Sequence, residues 1–112
     1  MRIRQIQNHK DYAVSDTGLV FRITDNGLIP LKKDISNGYA RVKLDGSKWY
    51  VSNLVSEYFM EKPESDNYKI FYIDGDKANC SVENLCWMSQ SDIQRYSHYT
   101  PEYRKEVLGD WA

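Results

Sequence analysis

Ile73-Asp74-Gly75-Asp76-Lys77-Ala78-Asn79-Cys80-Ser81-Val82-Glu83-Asn84-Leu85-Cys86-Trp87 is the stretch on which the fold turns. It opens at the end of an apolar run, Lys69-Ile70-Phe71-Tyr72-Ile73, which reads as a short strand. Asp74-Gly75-Asp76 breaks that strand as a turn, and a loop rich in Asn and Ser leads to Val82, Leu85 and Trp87. Directly after it, Ser89-Gln90-Ser91-Asp92 has the form of a capping box that opens a helix toward Tyr96. Thr100-Pro101-Glu102 predicts one more short helix, with Pro at its first position and Gly109 at its end.

Upstream the pattern is β-hairpins. Tyr12-Ala13-Val14 and Leu19 to Ile23 are short, β-branched and aromatic. Asn26-Gly27 predicts a two-residue turn into Leu28-Ile29-Pro30-Leu31, and Pro30 directs that strand to a sheet edge. After Asn37-Gly38, residues Tyr39 to Leu44 alternate, with Ala40, Val42 and Leu44 on one face and Tyr39, Arg41 and Lys43 on the other. Asp45-Gly46 returns the chain through Lys48-Trp49-Tyr50-Val51. The spacing then changes: Leu54, Val55, Tyr58 and Phe59 recur at helical intervals, with Ser52 as the expected N-cap and Pro63 as the stop.

A chain of 112 residues with 41% hydrophobic, 28% charged and 13% aromatic residues is a single globular unit, not a disordered one. The expected fold class is α+β: N-terminal antiparallel hairpins, then a strand–loop–strand–helix finger and C-terminal helices. Net charge is −1, but residues 1–50 carry nine Lys/Arg against five Asp/Glu, whereas residues 51–112 carry six against eleven. A basic half of this kind can lie on phosphate while the acidic half faces away. No stretch approaches 18 apolar residues and Met1 to Lys10 is polar, so no membrane partner and a cytoplasmic location, in a bacterial host cell, are expected. Cys80 and Cys86, with no second pair, read as reduced thiols.

Conventional sites are missing from the sequence. His9 and His98 are far apart and poor in neighbouring ligands, and no Cys-x-x-Cys, His-Glu-x-x-His or phosphate-loop pattern occurs. Asp74 and Asp76 lack the later ligands of a calcium loop and read as solvated turn acids. No cofactor and no metal are expected.

The order of segments resembles the HNH homing endonuclease-like family. Tyr12 to Arg22 is similar to the opening of its modular DNA-binding segment, and Gly38-Tyr39-Ala40-Arg41-Val42-Lys43-Leu44 to the hairpin that follows. Val51 to Phe59 is similar to the helix before the finger, and Ile73 to Trp87 resembles the family's Ile-Asp-Gly-Asn-Lys run. The resemblance covers about residues 6–93. It implies a modular DNA-binding-like β segment over 4–35, a degenerate HNH-like segment over 37–98 and a C-terminal helix or tail over 99–112 of one domain, 1–112.

The departures concern the chemistry. Where the family has a metal ligand followed by a general-base histidine, this chain has Phe71 and Tyr72; the second metal-binding asparagine is Ile93, and an upstream histidine is Ser52. Asn84 matches the asparagine that orients the histidine. Phenylalanine and isoleucine have no lone pair for a cation, and a phenol with a pKa near 10 is only about 0.1% ionised at neutral pH. A tyrosine nucleophile at Tyr72 finds no arginine cluster around it in sequence. The expectation is therefore no enzyme and no catalytic residues: an inactive HNH-like phage or bacterial protein that binds duplex DNA without cutting it, in a regulatory or accessory role.

The expected DNA-binding set is Arg22, Lys32, Lys33, Tyr39, Arg41, Lys43, Lys48, Trp49, Lys77 and Asn79. A second reading is a protein–protein module, such as an inhibitor of a host nuclease or defence factor or a small virion component. It would use the tyrosine-rich acidic end, Tyr96, Tyr99, Tyr103 and Trp111, against a host or phage protein. A residual HNH nuclease is the third.

Overall fold

Among the described residues, Asn37 and Asp45 are the two non-glycine residues with positive φ, at 53° and 49°, and each is followed by a glycine that continues the left-handed turn. These are the predicted Asn37-Gly38 and Asp45-Gly46 turns. Their primed geometry matches the right-handed strand twist, which is why such dipeptides close tight hairpins. They join β5 (Asp34–Ser36), β6 (Tyr39–Leu44) and β7 (Ser47–Tyr50) into a three-stranded sheet. The protein is seen here as a computed structural model that describes residues 1–64 and 66–108.

Before this sheet lie β1 (Ile3–Ile6), β2 (His9–Ser15), β3 (Val20–Thr24) and β4 (Gly27–Pro30), which form a four-stranded antiparallel sheet in that order. Pro30 stands on the edge strand, as a residue without an N–H should. The β3–β4 turn differs from expectation. Thr24 pairs with Gly27, so the loop is Asp25-Asn26, and Gly27, with φ 120°, is the first residue of β4. The Thr24 hydroxyl donates to the Gly27 carbonyl at 2.8 Å and fixes this register. Strand β1 carries no sequence alternation and was not predicted; it is the other edge, bulged between Gln5 and Ile6.

Helix α1 (Val51–Phe59) follows β7 without a linker. Tyr50 is its N-cap, without a side-chain cap, and the expected cap Ser52 lies inside the first turn and is buried. The physical reason is Val51, which is fully buried and draws the helix start two residues earlier. Then β8 (Tyr68–Tyr72) pairs antiparallel with β9 (Leu85–Ser89), and the intervening loop ends in a 3-10 turn at Val82–Asn84. Helix α2 (Gln90–Tyr96) starts with the Ser89 hydroxyl accepting from the Asp92 amide at 3.3 Å. Helix α3 (Pro101–Leu108) has the Thr100 hydroxyl accepting from the Tyr103 amide at 3.2 Å. Its predicted stop, Gly109, lies outside the described residues, as does Trp111.

The main core joins both N-terminal sheets to α1 and the finger: Ile6, Val14, Val20, Ala40, Val42, Leu44, Val51, Leu54, Val55, Cys80 and Leu85. A second cluster, Phe71, Ile73, Cys86, Met88 and Leu108 with Ile93 and Tyr96 against it, holds α2 and α3 to the β8–β9 ribbon. The finger loop is clamped to the first sheet. The Val82 amide donates to the Asp16 carbonyl at 2.8 Å, and a Cβ on Gly18 (φ 87°) would stand 2.9 Å from the Cys80 carbonyl carbon. Cys80 and Cys86 are free and buried, and burial pushes the Cys86 thiol up to about 11. Among the described residues no helix is long and apolar enough to cross a membrane.

Candidate nucleic-acid interface and finger cleft

The loop after β8 is held by its own polar side chains. Asp74 Oδ1 accepts from the Asp76 amide at 2.8 Å and from Asn84 Nδ2 at 2.9 Å, while Oδ2 accepts from Asn79 Nδ2 at 2.8 Å. Asn84 also accepts from the Asp74 amide through Oδ1 at 2.8 Å and donates to the Asn79 carbonyl at 3.0 Å. Burial pushes the Asp74 carboxyl up, but the hydrogen bonds from Asn79, Asp76 and Asn84, with the charge of Arg104, outweigh it and leave the pKa below its ordinary value. Asn84 thus binds the loop ends together, and Asn79, expected to reach DNA, has its amide engaged inside the loop.

On one side of β8, Phe71 is buried in a cluster that Ile93 packs against. The guanidinium of Arg104, on α3, lies 5.3 Å from the Phe71 ring centroid. Arg104 is only 8% exposed, and its Nε has no hydrogen-bond partner among the described residues. Gly75 leaves room for this group, since a Cβ there would meet a guanidinium nitrogen at 2.9 Å. Neither Phe71 nor Ile93 offers a donor atom, and the fixed positive charge of Arg104 lies against the Phe71 ring. A divalent metal does not fit this place.

On the other side, Tyr72 is half-buried and donates from its hydroxyl to Ser52 Oγ at 2.8 Å. Burial raises its pKa, so at neutral pH it is an un-ionised phenol that can donate a hydrogen bond. Tyr72 faces Tyr39 at 6.1 Å between ring centroids, and Tyr39 faces Tyr50 at 5.6 Å. These rings line a cleft of about 480 Å³ together with Ser52, Asn53, Lys69, Ile70 and Trp87. Lys77 Nζ lies 4.7 Å from the Tyr39 ring centroid, so the finger loop and the β6–β7 hairpin meet at this cleft.

The basic face of the hairpin is real but partly neutralised. Arg41 pairs with Tyr50 and Lys43 with Lys48 across β6–β7, which puts these four on one face. Asp34 sits among them: Arg41 donates to it from Nε at 3.1 Å and from its terminal nitrogen at 3.3 Å, and Lys48 Nζ bonds its Oδ2. The hydrogen bonds from Lys48 and then Arg41 hold the Asp34 carboxyl below its ordinary pKa. Trp49 differs from expectation. It pairs with Val42, so it points to the opposite face, where its ring packs edge-on against His9 at 5.2 Å. His9 in turn bonds Asp45 at 2.8 Å.

Arg22 is exposed on β3 of the first sheet, and Lys32 and Lys33 lie in the segment between β4 and β5. At the other end, Tyr96, Tyr99 and Tyr103 form an edge-to-face ladder with centroid spacings of 5.7 and 4.8 Å. Sequence reading missed Asp34, Lys69 and Arg104. For Arg104 a signal exists: with Leu108 it forms an i, i+4 pair on α3, and both are buried.

Residues 50–95 match the HNH endonuclease family model. Over 114 residues the chain is 24% identical to the uncharacterized HNH endonuclease L247 of Acanthamoeba polyphaga mimivirus, with 94% of this chain and 28% of that protein covered. The solved structure of the HNH homing endonuclease I-HmuI, described as showing DNA binding and cleavage, superposes with a TM-score of 0.71 at 24% identity. That match covers 96% of this chain and 66% of I-HmuI. The chain is HNH endonuclease-like in sequence and has the α+β fold of an HNH homing endonuclease.

These matches correct the expectation that the protein is no enzyme. The HNH endonuclease family model matches through Phe71, Tyr72, Asn84 and Ile93, the altered positions included. The expectation weighed the donor chemistry of single positions. The match rests on the whole helix–ribbon–helix unit from residue 50 to residue 95.

Proposed function

We propose that this protein engages duplex DNA as an HNH endonuclease-like protein, docking on the phosphate backbone through the β6–β7 face and the neighbouring finger loop. Lys43 and Lys77 are the leading phosphate contacts, with Arg41 and Lys48 held in fixed positions by Asp34. Tyr39 seats Lys77 between the two elements. Arg22, Lys32 and Lys33 extend the positive charge toward the first sheet. The observation that carries this reading is the meeting of Lys77 with the hairpin at Tyr39, since two basic elements on one rigid surface can follow one backbone. In the cleft, Tyr72 and Ser52 are the polar groups at the altered position; the Tyr72 hydroxyl donates to Ser52 Oγ, which leaves the Ser52 hydroxyl proton to donate to a phosphate oxygen.

Anisotropy with a labelled 20-base-pair duplex tests docking. Affinity is expected to fall steeply, by roughly 10²-fold or more, between about 50 and 200 mM salt if several phosphates are neutralised. No binding at about 50 mM salt would overturn the reading. Nicking of supercoiled plasmid with Mg²⁺ or Mn²⁺, compared with Tyr72→Phe, reports strand scission and the part Tyr72 takes in it.

A second reading is favoured by the Tyr96–Tyr99–Tyr103 ladder, of which Tyr99 and Tyr103 are exposed together with Val107. Grouped exposed aromatics are typical of protein contact surfaces. Loss of a captured protein on Tyr103→Ala, with DNA removed by nuclease treatment, would support that reading.

A further inference from the structure

We propose that the cleft between the β6–β7 hairpin and β8 holds one unpaired nucleobase of the bound DNA. This deepens the DNA-docking reading and rests on it. Tyr39, Tyr50 and Tyr72 meet at interplanar angles of 73° and 64°, so these neighbouring rings meet edge to face and are not closed in a parallel stack. Tyr50 is 44% exposed, and Ser52 and Asn53 also line the cleft, Asn53 offering both a donor and an acceptor to a base edge. Lys69 lines it and Lys77 Nζ lies 4.7 Å from the ring centroid of Tyr39, which also lines it, so two cations adjoin the cleft for the phosphates flanking a base. Aromatic rings flanked by cations are the combination that binds single-stranded nucleotides. A volume of about 480 Å³ falls within the range of sites that enclose small ligands.

Magnitudes decide which base enters. Stacking on an aromatic side chain is worth about 1–3 kcal/mol per base. Extracting a paired base from a duplex costs a few kcal/mol, and least where the base is already unpaired. The cleft therefore leaves intact pairs alone and takes a base that is bulged or mismatched.

Three labelled duplexes of about 20 base pairs test this: one fully paired, one with a single bulged thymine, and one with an abasic bulge at the same place. The bulged thymine is expected to bind roughly 10-fold tighter than the paired duplex, with the abasic bulge close to the paired one. Tyr50→Ala should bring the bulge-to-paired ratio near one, whereas Tyr50→Phe keeps it; thermal melts establish that both variants are folded. Equal binding of bulged and paired duplexes overturns the inference and leaves docking intact. A preference shared by the abasic bulge also overturns it, because flexibility alone would then explain it. No binding of any of the three overturns docking and the inference together.

Discussion

The guanidinium of Arg104 stands 5.3 Å from the ring centroid of Phe71, and this pair ties the C-terminal helix to the finger strand. Burying a guanidinium is costly unless something answers its charge, and here the ring face and the nearby Asp74 carboxylate do so. A double-mutant cycle with Arg104→Met and Phe71→Leu is expected to give a coupling of about 0.5–2 kcal/mol in urea unfolding. A coupling near zero would mean that α3 is held by Leu108 alone.

Asp34 restrains the cations that DNA would recruit. Asp34→Asn removes a negative charge beside Arg41 and Lys48 without changing side-chain shape, and duplex affinity at about 50 mM salt should rise by roughly 3- to 10-fold. Lys43→Ala should lower the slope of log affinity against log salt by about one, the effect of losing one phosphate contact. An Asp34→Asn protein with unchanged affinity would place the DNA elsewhere.

Three aspartates define the acid limit of stability. Asp74, Asp16 and Asp34 each have a folded pKa below the ordinary 3.8; for Asp16, burial raises it but the bonds and charge of Arg2 outweigh that. A depressed folded pKa stabilises the fold above the ordinary value, and that contribution is lost as pH falls through the folded pKa. The melting temperature should therefore fall below about pH 4, and Asp74→Asn should make that fall shallower. A fall of unchanged steepness in the variant would remove Asp74 from the loop's energetics.

Gly18 is where the first sheet touches the finger loop. Alanine there meets the Cys80 carbonyl carbon at 2.9 Å and must hold φ at 87°, so both position and backbone resist it. Gly18→Ala should destabilise the protein by about 1–3 kcal/mol in chemical denaturation. Gly46→Ala, with nothing within 4 Å, carries the backbone strain without the collision and should cost less.

The hairpins were legible because their signals are local. Asn37-Gly38 and Asp45-Gly46 set the turns, the Ala40-Val42-Leu44 alternation set the buried face, and Pro30 set the edge. Asn26-Gly27 misled by one residue, since Gly27 takes its positive φ as the first residue of β4. Trp49 follows Lys48 in the expected DNA-binding set, yet adjacent strand residues point opposite ways, and the register with Val42 turns Trp49 to the other face. Asp34 and Arg104 were missed because each acts through a partner distant in sequence, Lys48 for one and Phe71 for the other. Residue chemistry at Phe71, Tyr72 and Ile93 led to the expectation of a non-enzyme, which the match over residues 50–95 reverses.

Each strand of the three sheets pairs with its neighbour along the chain. Ribbons of that sort close within microseconds and carry little loop-closure entropy, whereas joining distant pieces is slower. The barrier to folding then lies in the collapse of ready-made ribbons around Leu44, Leu54 and Leu85, which are almost completely buried. Substitutions at these leucines should slow folding itself, while changes in the outer turns should mainly hasten unfolding.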